Sequence, residues 1–72
     1  MATIKALKRI KLDKDLKDAK LGVLIPKGVF YDEGREYQPS PNEVRVLLRT
    51  YPDDFEPVDD QAKQIAEQEA SI

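Results

Sequence analysis

The chain has 72 residues, 12 basic and 14 acidic side chains, no cysteine and no histidine. A length this small allows one domain with a small core, for which docking on a larger partner or self-association is a usual source of extra stability. Without cysteine there is no disulfide framework or thiolate metal site, and without histidine the commonest general base and metal ligand are missing.

The first candidate element is a strand over roughly Leu7 to Leu12, where Ile10 and Leu12 alternate with Arg9 and Lys11. Residues 1–6 read as a basic N-terminal arm ahead of a small α+β domain at 7–58, with a helical tail at 59–72. Lysines at 5, 8, 11, 14, 17 and 20 define no single stripe on a helix or a strand, so they read as solvation. Basic as it is, the N-terminus is not followed by an apolar stretch, so a cleaved secretory signal is not expected. No run approaches a membrane span.

Asp13 to Gly22 reads as a loop or one to two helical turns, with Leu12, Leu16 and Ala19 at i, i+4, i+7 and Gly22 closing the turn. Val23-Leu24-Ile25 is an apolar run bounded by the turn Pro26-Lys27-Gly28. Val29-Phe30-Tyr31 follows as a strand. Asp32-Glu33-Gly34 fits a hairpin loop leading to Arg35-Glu36-Tyr37, and Phe30 and Phe55 are expected in the core.

The strongest local signal is Ser40 to Val58. Ser40 suits an N-cap, Pro41 the first helical position and Glu43 a capping box. Val44, Leu47, Leu48 and Tyr51 then form one apolar face. Val46 lies off that face, at the surface or in an interface. Arg45 and Arg49 share a flank. Pro52 ends the helix, and Pro57 confines a Phe55–Val58 strand to an edge. Beyond it the tail has a thin apolar face of Ala62, Ile65, Ala66 and Ala70, so its order is expected to come from a partner or symmetry mate.

Catalysis finds no support in this pattern. Ser40 and Ser71 have no histidine to activate them, and the Asp53-Asp54 and Asp59-Asp60 pairs beside prolines suit capping and solvation better than metal binding. No cofactor is expected. Charge is segregated: residues 1–28 hold seven Lys and one Arg against three Asp, net +5, whereas residues 29–72 are net −7. Such a dipolar chain suits head-to-tail pairing or two different partners. Nucleic acid is not expected, because no aromatic interleaves with the N-terminal lysines.

The succession of a KRIKL strand, LGVLIPKG, a hairpin, the helix start S-x-x-E-V-x-x-L-L and YPDDFEPV resembles small virion proteins of tailed bacteriophages. The resemblance runs from about Lys8 to Val58. It implies a small antiparallel β-sheet or SH3-like barrel with one capped helix, and a non-enzymatic structural role in the virion. The protein would bind and stabilise the capsid in multiple copies, with the major capsid protein or neighbouring virion subunits as partners. A head-to-tail junction or tail component is the first alternative, and a small regulatory protein binding a protein or nucleic-acid target the second. Expected contact residues are Lys5, Lys8, Arg9 and Lys11 in the basic arm, Ile65 and Ile72 in the tail, and Arg45 and Arg49 on the helix flank.

Overall fold

A computed structural model describes residues 2–71. The fold is α+β, with seven short strands and two helices (β1 Ile4–Ala6, β2 Ile10–Lys11, β3 Leu16–Asp18, β4 Val23–Ile25, β5 Phe30–Tyr31, β6 Glu36–Tyr37, α1 Pro41–Thr50, β7 Phe55–Pro57 and α2 Asp60–Ala70). The strands form three small antiparallel sheets, ordered β6-β1-β7, β2-β5 and β3-β4, rather than one closed barrel.

The start of the chain is a correction to the expected basic arm. Ala2, Thr3, Ile4 and Ala6 are buried, and β1 is the central strand of the three-stranded sheet. Ile4 and Ala6 point inward while Lys5 points outward, as strand alternation requires. Lys5 lies opposite Glu36 on one side and Glu56 on the other, a Glu–Lys–Glu row that offsets the charge of the central residue.

The loop or helical turns expected at Asp13–Gly22 are also replaced, over Leu16–Asp18, by the first strand of the β3–β4 hairpin. Leu16 pairs with Ile25, Lys17 with Leu24 and Asp18 with Val23. Leu12 and Leu16 are buried, but Ala19 is exposed, so the i, i+4, i+7 spacing marks no helical face. Asp18 Oδ1 accepts the Leu21 N–H at 3.1 Å, and Gly22, at φ +67°, takes the positive backbone angle that closes the turn.

Asp32–Arg35 does turn, with the Arg35 N–H donating to the Asp32 carbonyl, but the flanking strands separate. β5 pairs with β2, and β6 pairs with β1, so the turn is a corner between two sheets and not a hairpin loop. The Tyr37 hydroxyl braces it by accepting the Asp32 N–H at 2.7 Å. Tyr31 fills the corner, edge-on to Tyr37 at 5.0 Å and to Phe55 at 5.2 Å between centroids. Burial pushes its phenol pKa up to about 12.

Helix α1 starts as its sequence directs: Ser40 is extended and its Oγ accepts the Glu43 N–H at 3.3 Å. Val44, Leu47 and Leu48 are buried, and so is Val46, because α1 is covered by β4 and β7 on one side and by α2 on another. α2 therefore corrects the expectation of a tail ordered by a partner. Ala62 is fully buried and Ile65 is 4 % exposed, both within the same core as Ile4, Leu12, Val44 and Leu47.

Asp59 ties the two ends of the chain together. One carboxylate oxygen accepts the Ala62 N–H at 2.9 Å and caps α2, while the other accepts the Thr3 N–H at 3.0 Å. These bonds hold its carboxyl below the ordinary value of 3.8, the Ala62 N–H contributing most. Because the folded pKa is depressed, the latch contributes fully above the unfolded pKa and is lost as pH falls through the lower folded value. Asp59→Ala is therefore expected to lower the Tm at neutral pH. The gap from the parent chain should narrow in acid, which thermal melts at a series of pH values will read.

Candidate functional site

The residues expected to contact a partner divide into those used internally and those left at the surface. Ile65 belongs to the core and is corrected as a contact residue; Ile72 lies outside the described residues. Arg45 and Arg49 both bind α2. Arg45 Nη1 donates to Gln68 Oε1 at 2.9 Å. Arg49 forks onto Glu69, Nε and Nη2 donating at 3.2 and 3.1 Å, while Nη1 reaches Asp18 Oδ2 at 2.9 Å. The guanidinium thus staples α1, α2 and the β3–β4 hairpin together, a planar geometry that lysine would not reproduce. The Asp18 carboxyl is held below the usual carboxylate range by the Leu21 N–H first and Arg49 second. The Arg49 guanidinium is pushed up by its bonds to Glu69 and Asp18.

Of the basic residues near the N-terminus, Lys5 sits in the Glu36–Lys5–Glu56 row and Lys8 Nζ lies 3.1 Å from Asp54 Oδ1. Arg9 is exposed, its guanidinium 5.5 Å from the centroid of the Phe30 ring. Lys11 is the cross-strand partner of Phe30 on the outer face of the β2–β5 ribbon.

Among the described residues the exposed large apolar side chains are Leu7, Leu24, Phe30 and Val58, and two of them, Leu24 and Phe30, face lysines across their strand pairs. Phe30 is 51 % exposed, which corrects its expected place in the core, and Leu24 is 60 % exposed. Both follow from strand geometry. Ile10 and Tyr31 take the inner face of the ribbon, so Phe30 must face out; Val23 and Ile25 turn inward, so Leu24 must face out. Alternation inside each apolar triplet sets the middle residue opposite its neighbours, but which face is inward is decided by tertiary packing. Lys17 lies directly opposite Leu24. Among the described residues Lys11, Lys14, Lys17, Lys20 and Lys27 are exposed and make no ion pair. The outer surface of the two ribbons is therefore basic with apolar points.

On the other part of the molecule, an open groove runs where the end of α1, β7 and α2 meet. Leu48 and Phe55 form its floor, Pro52, Pro57, Ala66 and Ala70 its walls, and the Arg49–Glu69 pair one edge. Its neighbours in the chain Asp53, Glu56 and Glu67 are exposed.

Among the described residues no group of three or more His, Cys, Asp or Glu side chains is placed to hold a metal ion, and no helix is long and apolar enough to cross a membrane. Comparison with protein-family models, curated proteins and solved structures finds no match to this chain.

Proposed function

We propose that the protein is a non-enzymatic structural component of a tailed-phage virion that binds and stabilises the capsid in multiple copies. The observation that carries this reading is the outer face of the β3–β4 hairpin. Leu24 projects there opposite Lys17, with Lys14, Lys20 and Lys27 exposed on the same segment of chain. An exposed leucine opposite a lysine, on a stretch that exposes three further lysines, suits an acidic protein surface with an apolar recess: burial of the leucine supplies affinity and the lysines orient the approach. The succession of strand, turn, capped helix and YPDDFEPV supplies the phage context by resemblance. A small domain that gains stability from its partner by mass action fits that setting.

The test is co-sedimentation of the purified chain with shells assembled from the major capsid protein. Leu24→Asp and Lys17→Glu should each weaken retention by about tenfold or more while leaving the fold intact, since both positions are exposed. If the parent chain stays in the supernatant, or both variants sediment as it does, the capsid reading fails. A ring-forming part of the head-to-tail junction is the second reading, favoured by the segregation of +5 and −7 along the chain. Copy number separates the two.

A further inference from the structure

We propose that the chain associates head to tail with copies of itself, the Phe30–Arg9 knob of one copy seating in the Pro52–Phe55–Pro57–Ala70 groove of the next. Phe30 belongs to the β2–β5 ribbon and Leu24 to the β3–β4 hairpin, so each surface is tested by its own substitution.

The knob is a half-exposed aromatic ring on a two-stranded ribbon. Its backbone is pinned by pairing with Lys11, and the Arg9 guanidinium lies 5.5 Å from the ring centroid. Little side-chain freedom is left to lose when such a residue docks, which is what makes aromatic anchors effective. Its immediate neighbours are cationic: Arg9 across the ring and Lys11 across the strand.

The groove has the opposite character. Its lining is mainly apolar, with two prolines and the Arg49–Glu69 ion pair at one edge, while Asp53 and Glu67 are exposed beside Pro52 and Ala66 in the chain. One apolar projection flanked by Arg9 and Lys11 and one apolar recess with Asp53 and Glu67 beside it are thus present on the same 72-residue molecule. Charge complementarity singles out a second copy as the occupant, because each copy carries both complementary surfaces. Two different surfaces meeting make a heterologous contact, which builds a ring if the rotation closes and an open filament if it does not.

The experiment is sedimentation equilibrium of the purified chain, without capsid, up to about 1 mM, at about 50 mM and then about 500 mM salt. The average mass should rise above the 8.2 kDa monomer with concentration and fall back at high salt, since the steering charges are solvent-exposed. Phe30→Asp removes the knob and Ala70→Trp fills the groove; Ala70→Arg, which repels the knob, is a second groove variant. All three change exposed positions, and far-UV circular dichroism with a thermal melt verifies their folding. Each variant alone should associate at least about tenfold more weakly than the parent. A mixture of Phe30→Asp with a groove variant retains one good knob and one good groove, so it should form a one-to-one dimer and stop. A parent chain that stays monomeric throughout, single variants that assemble like the parent, or a mixture that stays monomeric with both groove variants overturns the proposal. Leu24→Asp should leave self-association unchanged, which separates failure here from failure of the capsid reading.

Discussion

Leu47→Ala is expected to cost about 3 kcal/mol, within the roughly 2–5 kcal/mol that such truncations cost in packed cores. Leu47 is fully buried on the face of α1 that meets the core, and it is among the largest side chains with no exposed surface. A domain of this length has a total stability of only about 4–10 kcal/mol, so one truncation removes roughly 30 % or more of it. Urea unfolding followed by circular dichroism reads the effect as a fall in midpoint with little change in slope. Leu24→Ala is the control. Leu24 is chemically identical but 60 % exposed, and its truncation should cost no more than about 0.5 kcal/mol. Equal losses at the two positions would contradict the assignment of inner and outer faces.

Ile65→Asp is the second large effect, and it separates two roles for α2. In the structure Ile65 packs in the core, so a carboxylate there must be buried without a partner or must expel the helix. The expected cost is more than about 3 kcal/mol, read as a large fall in urea midpoint or as loss of α2 docking. A surface contact residue would behave otherwise: the variant would keep the parent's urea midpoint and lose only affinity for a partner. Proteolysis adds a second readout, because an undocked α2 exposes its backbone from Asp60 onward.

These outcomes depend on features that differ in how far they can be read from the chain. Helix α1, its Ser40 cap, the stop near Pro52, the edge position of β7 and the Pro26–Gly28 turn were all legible, because each is decided by residues within a few positions of one another. The β3–β4 hairpin was not. Lys-Asp-rich residues 13–20 carry a weak helical spacing, and the competing strand pairing rewards Leu16 only through Ile25, nine positions later. β1 was hidden for a similar reason. Three residues with a lysine in the middle give little local signal, and their strand identity comes from neighbours more than 30 residues away.

The docking of α2 escaped for a subtler cause. Ala62 contributes almost no hydrophobicity to a helical pattern, yet its small size lets α2 sit close to the rest of the core, where it is fully buried. Asp59 reads as a cap from sequence alone, but the bond from its second oxygen to Thr3 spans 56 positions and leaves no local trace. At the candidate site, the basic character of the first part of the chain was evident. Which cations remain free was decided by tertiary pairing, since Lys8, Arg45 and Arg49 all find internal carboxylates. The apolar points Leu24 and Phe30 were obscured by their apolar neighbours in sequence.

The proposed capsid role is tested most directly by quantitative mass spectrometry of particles purified from the source of the chain, counting it against the major shell protein. The account predicts a copy number comparable to that of the shell protein's repeating unit, with particles made with the Leu24→Asp variant depleted of the chain. Particles that contain none of it would contradict the virion reading outright. A ring's worth of copies would place it at the head-to-tail junction instead of the capsid lattice.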